Sequence, residues 1–312
     1  MLQAIIIEPA MRKKHFYRFV HVYQRSYDKG IIFYDDLDRL LFYTVISRVA
    51  TTIDVKILAL CLMPDHIHLL VNFNSEKEVI RFVQGYSSLF AKEYNSSIGR
   101  HGPLFEPCFG RAEKISDKKI RTCLSYIYNN PVEKKLCEKV ELSIWNFLAY
   151  ANSPHPFSEQ LVIRRASWNM RKNLKTCQGI AASNRHLSIT LMKKMFETIG
   201  PKEKNQMRDF IIGLYNVIYH KEAISFFGSF GSMVLASNSN TGSEYDIKEH
   251  FFKGCDADFN VLTETLMSYS LFERPGEVIT MDTTKKMMLL SRLQRDTYIS
   301  PSQICRFLHI AP

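Results

Sequence analysis

Residues 64–73, Pro64-Asp65-His66-Ile67-His68-Leu69-Leu70-Val71-Asn72-Phe73, constrain the fold more than any other stretch, because imidazole and apolar side chains alternate along them. Successive side chains of an extended strand point to opposite faces. Ile67, Leu69, Val71 and Phe73 therefore belong to one face, which can be buried, while His66 and His68 share the other. Pro64 cannot donate a ladder hydrogen bond, so a kink, bulge or strand start is expected immediately before the histidines. Two imidazoles on one face are half of a divalent-metal site. By itself a His-x-His pair is more often two ordinary surface residues, and a second motif is needed to raise its meaning.

The surrounding chain supplies a sheet and its cover. Phe16 to Tyr23 reads as a first strand, Asp35 to Ala50 as an amphipathic helix through Leu37, Leu40, Leu41, Val45 and Val49, and Val55 to Phe73 as the central strands. Lys77 to Tyr94 carries Val79, Phe82, Val83, Tyr86, Leu89, Phe90 and Tyr94 at helical spacing, and Ser96 to Arg111 is a loop punctuated by Gly and Pro. A further helix is predicted from Asp117 to Asn129, with Ser116 as its N-cap and Asp117 at its positive end, stopping before Pro131. This order predicts an α+β fold, a ferredoxin-like antiparallel sheet with helices. Ser153-Pro154-His155-Pro156 marks a boundary, so residues 1–152 are expected to form one domain and 153–312 a mainly α-helical second one. In the latter, Leu191 to Ile199, Lys204 to His220 and Asp258 to Leu271 are the clearest helices, and Gly228 to Gly231 and Ser237 to Gly242 read as loops.

With 41 Lys and Arg against 31 Asp and Glu, the formal charge of +10 favours a polyanionic partner, since cations near phosphates release condensed counterions. The seven cysteines form no Cys-x-x-Cys pair and leave one unmatched, which argues against a disulfide framework or a zinc ribbon and suits a reducing cytoplasm. Met1 to Ile7 is too short an apolar run, with Glu8 and Pro9 following, for a signal peptide or membrane span. The reading is a soluble intracellular protein.

The second motif lies further on, at Tyr126-Ile127-Tyr128-Asn129-Asn130-Pro131-Val132. Met63 to Val71 resembles the Met-Pro-Asn-His-Val-His-Leu-Leu signature of the HUH single-tyrosine transposases, with Asp65 in place of the usual Asn. Tyr126 to Val132 is similar to the Tyr-Ile-x-x-Asn-Pro-Val of the REP-associated, insertion-sequence-200-like branch. Gly102-Pro103-Leu104-Phe105 and Phe109-Gly110-Arg111 resemble further elements of that branch, in altered order around Arg111. The likeness covers roughly residues 10–150 and rests on two motifs in the right order.

On a helical wheel with Ile120 at zero, Leu124 and Ile127 fall within about 40° and Tyr126 about 120° away, so Tyr126 is expected on the polar side and Tyr128 in the packing. Asn130, one turn after Tyr126, lies on nearly the same face. The resemblance implies that Tyr126 attacks single-stranded or hairpin DNA to form a 5′-phosphotyrosine. It also implies that His66 and His68 hold Mg²⁺ or Mn²⁺, and Asn130 is the candidate third ligand, with a structural helix-end role as its alternative. The expected location is the cytoplasm, associated with the nucleoid; insertion-sequence relatives are dimers and REP-associated ones need not be, so a homodimer is one of two expected states.

Lys92, Arg100, His101, Arg111, Lys114, Lys118, Lys119 and Arg121 lie between the motifs and are candidate contacts to the DNA backbone. Phe105 and Phe109 are candidates for base stacking or, more simply, for the core. At the far end, Thr284 to Arg295 and Pro301 to Leu308 suit a helix-turn-helix as well as an ordinary hairpin; in the former, Ser302, Gln303 and Arg306 would face DNA. Two competing functions are a domesticated DNA-binding regulator that retains the fold and a replication-initiator or relaxase-like nuclease. A histidine-triad hydrolase would need a third histidine at position 70, which is Leu70.

Overall fold

The structure, a computed structural model, describes residues 18–240 and 255–310. Its first region runs β1 (Arg18–Arg25), α1 (Asp36–Ile53), β2 (Lys56–Leu62), β3 (His66–Phe73), α2 (Glu76–Ile98), β4 (Gly110–Lys114) and α3 (Asp117–Glu133). The strands form one antiparallel sheet in the order β2-β3-β1-β4, which is the ferredoxin-like arrangement expected. The apolar register of β3 decides the layering: Ile67, Leu69, Val71 and Phe73 enter a large core with α1 and α2, and Leu70 joins a second core with α3 on the opposite face.

Local chemistry sets the element ends. Asp35 caps α1 by accepting from Asp38 N at 2.9 Å, in a reciprocal capping box. Ser116 caps α3 as predicted, accepting from Lys119 N at 3.3 Å. Pro64 lies in the turn between β2 and β3, where its carbonyl accepts from Ile32 N at 2.7 Å and Phe33 N at 3.1 Å. A proline that cannot pair in the ladder thus anchors the chain that leads into α1.

Two departures from expectation lie near the signature motifs. β4 occupies residues read as the end of a loop and the chain beyond it, because Gly and Pro at 102, 103, 107 and 110 mask a five-residue edge strand. α3 continues four residues past Asn129 and takes Pro131 into its last turn. The proline ring forfeits one hydrogen bond there, and the burial of α3 from Cys123 to Pro131 offsets that loss.

The chain then passes through short 3₁₀ turns to α4 (Trp168–Ala182), α5 (Ile189–Glu197), α6 (Pro201–Leu214), α7 (His220–Ser225), α8 (Phe230–Asn238), α9 (Ala257–Ser268), α10 (Thr283–Thr297) and α11 (Pro301–Leu308). Met170, Leu174, Met192, Met207 and Ile211 of α4–α6 extend the core formed by α1 and α2. Met233 of α8 packs with Leu124 and Ile127 of α3, and α8 takes in Phe230 and Gly231 of one expected loop and Ser237 and Asn238 of the other. Ser239 and Asn240 follow the helix, and residues 241 and 242 lie outside the described residues, as do Met1 to Ile7.

α9, α10 and α11 share a third core in which Phe259, Leu262, Leu289, Leu293, Ile304 and Phe307 pack with Ile31 and Tyr34 from the β1–α1 connection. The His309 ring closes this contact, pairing with the Asp28 carboxylate through Nδ1 and with the Ile31 carbonyl through Nε2 at 2.7 Å. Gly30 permits it, because a Cβ there would meet the ring at 2.7 Å. Among the described residues no helix is long and apolar enough to cross a membrane.

Candidate active site

The sheet face opposite α1 and α2 carries the chemistry. Antiparallel pairing sets Tyr23 across from His68 and Arg25 across from His66, and residues directly opposite one another project to the same side. His21, Tyr23 and Arg25 of β1 therefore join His66 and His68 of β3 beneath α3. The two motif rings lie 5.0 Å apart, centroid to centroid, at 89°. His68 is fully buried and His66 is 6% exposed.

α3 brings Tyr126 onto this face. Its ring stands edge-on to His68 at 5.4 Å and to His21 at 5.9 Å. Asn130 lies one turn later, donating from its amide nitrogen to the Tyr126 carbonyl at 3.1 Å, and its side chain acts on the His68 ring. Tyr128 packs as expected, with its hydroxyl donating to the Leu58 carbonyl at 3.3 Å. The expectation that Tyr126 would be displayed is corrected: it is 1% exposed. The wheel considered one apolar face, whereas α3 is covered by the sheet on one side and by α8 on another, and Tyr126 points to the imidazoles.

Each histidine is steered through its second nitrogen. His21 Nε2 and His68 Nδ1 are 3.1 Å apart. His66 Nδ1 meets Asp65 Oδ1 at 2.6 Å, and Asp65 Oδ2 accepts from Arg25 at 2.9 Å and from Arg306 at 2.7 Å. Burial would raise the Asp65 carboxyl, but His66, Arg306 and Arg25 outweigh it and hold it well below the usual carboxylate range. Burial and the neighbouring His66 and His21 push the His68 imidazole well below its ordinary value, keeping it in the neutral form that binds metal. Asp256, pushed up to about 6 by burial and by the Asp65 charge, lies beside this network.

The donor chemistry suits a divalent ion. Two imidazoles with their Nδ1 atoms engaged have Nε2 as the remaining nitrogen, and the amide oxygen of Asn130 would be a hard ligand of the kind such an ion takes. Among the described residues no group of three or more His, Cys, Asp or Glu side chains forms a metal cluster.

The expected DNA contacts divide. Lys92, His101, Lys118, Lys119 and Arg121 are exposed. Arg100 instead braces its loop, donating to Asn95 Oδ1 at 3.0 Å and the Pro103 carbonyl at 3.0 Å, and Arg111 pairs with Glu76. Lys114 is corrected from the surface to the interior: it is 2% exposed on the face shared with His21. Gln303 and Arg306 are also corrected. α11 is short and buries its inner side, so Gln303 donates to the Cys255 carbonyl at 3.0 Å and Arg306 turns toward Asp65, while Ser302 stays exposed. Phe105 joins the core, and Phe109 lines a groove of about 730 Å³ beside α2, away from the histidines. Trp145 packs under Arg39, whose guanidinium is 5.7 Å from its ring.

Sequence reasoning missed His21, Tyr23 and Arg25. The period-two spacing of the three was readable, but the register that sets them opposite the motif was not.

Comparison with known proteins gives one family match: residues 11–130 match the family described as Transposase IS200 like. Among solved structures, a REP-associated tyrosine transposase bound to a REP hairpin aligns at 16% identity and a TM-score of 0.34, over 44% of this chain and 79% of that one. No curated protein matches the chain.

Proposed function

We propose that the IS200-like single-tyrosine transposase domain carried by residues 11–130 cleaves and rejoins single-stranded or hairpin DNA, with Tyr126 as nucleophile and His66, His68 and Asn130 as metal ligands. The observation that supports this reading is the meeting of the Tyr126 ring with His68 on one sheet face, from motifs far apart in sequence.

A phenol with an ordinary pKa near 10 is a weak nucleophile, and a phosphodiester anion repels attack. A divalent ion, Mg²⁺ or Mn²⁺, held by the two imidazoles and the amide would neutralise phosphate charge and polarise its oxygens. The Tyr126 oxygen forms a bond to phosphorus as the bond to the 3′ oxygen breaks. The phenolic proton is lost to the medium and the departing 3′ oxygen gains one. The product is a 5′-phosphotyrosine and a free 3′-hydroxyl, and the reverse attack restores the strand without ATP. The near-complete burial of Tyr126 means that DNA reaches it only after the cover opens. Exposed Lys118, Lys119 and Arg121 on the outer side of α3 supply backbone contacts in this reading. The protein would act in the cytoplasm at the nucleoid.

Incubation of the full chain with Mg²⁺ and a labelled DNA hairpin should give a denaturation-resistant adduct that Tyr126→Phe abolishes. An adduct retained by that variant refutes the assignment. The same burial favours one alternative, a DNA-binding regulator whose site never opens; tight hairpin binding with no adduct under Mg²⁺, Mn²⁺ or Co²⁺ would select it.

A further inference from the structure

Arg306 stands where sequence alone would put a DNA contact, yet each of its three nitrogens donates to an acceptor within the protein. Its Nε donates to the Lys29 carbonyl at 3.3 Å, one terminal nitrogen to Gln303 Oε1 at 2.9 Å and the other to Asp65 Oδ2 at 2.7 Å, with the guanidinium 5.1 Å from the centre of the Phe259 ring. Arg25 reaches the same carboxylate oxygen from β1 at 2.9 Å. With Oδ2 taken by two guanidinium groups, Oδ1 is turned to His66 Nδ1 at 2.6 Å. A carboxylate so placed selects the imidazole tautomer with hydrogen on Nδ1, and the bare Nε2 becomes the coordinating atom.

We infer that Arg306, on the C-terminal helix α11, is a positioning residue of the proposed metal centre: by clamping Asp65 it fixes the ring orientation and tautomer of His66. This rests on the proposed function, and it assigns to the helical C-terminal region a part in completing the site. The motif's own Asp65 makes the arrangement work, since a carboxylate holds two arginines and an imidazole N–H together, whereas an amide would present one acceptor oxygen without charge. The attachment of α11 is independent of this contact: its apolar side packs in the third core, and His309 holds Asp28 and the Ile31 carbonyl.

Simple Coulomb repulsion predicts the opposite outcome from clamping. Removing a cation near a metal site should tighten cation binding, whereas loosening the clamp should weaken it. The test is titration of the full chain with Mn²⁺, following free Mn²⁺ by electron paramagnetic resonance in the absence of DNA. Arg306→Gln is expected to weaken Mn²⁺ binding by about 10-fold, and Arg306→Lys, which keeps a single donor to Asp65, by less. Nitrogen-15 spectra of the histidines should show His66 as one tautomer in the parent and as a mixture in Arg306→Gln. In the Asp65→Asn background, Arg306→Gln should cause no further loss.

Unchanged or tighter Mn²⁺ binding by a folded Arg306→Gln, with a single His66 tautomer, overturns the inference and leaves the transposase reading intact. If Arg306→Gln does not fold, the same comparison is decided by Arg306→Lys. A parent protein that binds no Mn²⁺ overturns both readings at once.

Discussion

His21 Nε2 lies 3.1 Å from His68 Nδ1, so two buried imidazoles share one proton position. A neutral imidazole carries a single N–H, and His68 can ligate through Nε2 only when its Nδ1 donates to His21. In the proposed centre His21 is therefore the acceptor that would leave His68 Nε2 to the metal. His21→Phe should preserve ring packing beside Tyr126 while lowering Mn²⁺ affinity by about 10-fold or more, measured by titration without DNA. His21→Gln, which restores an acceptor, should recover part of it.

If α3 faces the DNA backbone, Lys118→Ala and Arg121→Ala should each weaken hairpin binding and reduce the slope of log affinity against log salt by about 1. Both side chains are exposed, so folding stability should be unchanged in the same variants. An unaltered slope would move the DNA path elsewhere.

Asp38 is fully buried, where it accepts from Tyr34 N at 2.9 Å and pairs with Arg274, a residue that also meets Asp35 at 3.3 Å. Burial and the Asp35 charge push the Asp38 carboxyl up to about 7 even with Arg274 opposing them. Arg274→Leu strands that carboxylate, and stability at pH 8 should fall by about 3–5 kcal/mol, read from urea unfolding. The loss should shrink at pH 5, where Asp38 takes up a proton.

Burial depresses the His220 imidazole to about 4. Above pH 6.5 both folded and unfolded chains carry it neutral, and the full stability is present. As pH falls from 6.5 toward 4 the unfolded chain binds the proton first, so stability declines through that window, by up to about 3 kcal/mol. His220→Gln should flatten this part of the profile. Unfolding midpoints compared at pH 7 and pH 4.5 will show the difference.

What was legible in the chain came from local rules. The alternation at Ile67, Leu69 and Val71 gave β3 its buried face, Pro64 marked the turn before it, and Ser116 marked the start of α3. Non-local relations were hidden. The pairing of Tyr23 with His68, which delivers His21, depends on a register no single segment encodes. β4 is a short edge strand in a Gly- and Pro-rich stretch, and its pairing partner, not its own pattern, makes it a strand. Tyr126 was read against one apolar face because the covering α8 lies far along the chain. Arg306 looked like a surface cation since its acceptor is a residue of the first motif.

Asp65 and Arg306 are separated by 241 residues. Closing so long a loop forfeits chain entropy before the contact returns any energy. The sheet, built from nearer neighbours, can therefore assemble while its motif carboxylate still waits for the last helix. On the reading proposed above, a product that lacks residue 306 would carry both signature motifs yet leave the His66 ring without its most distant brace.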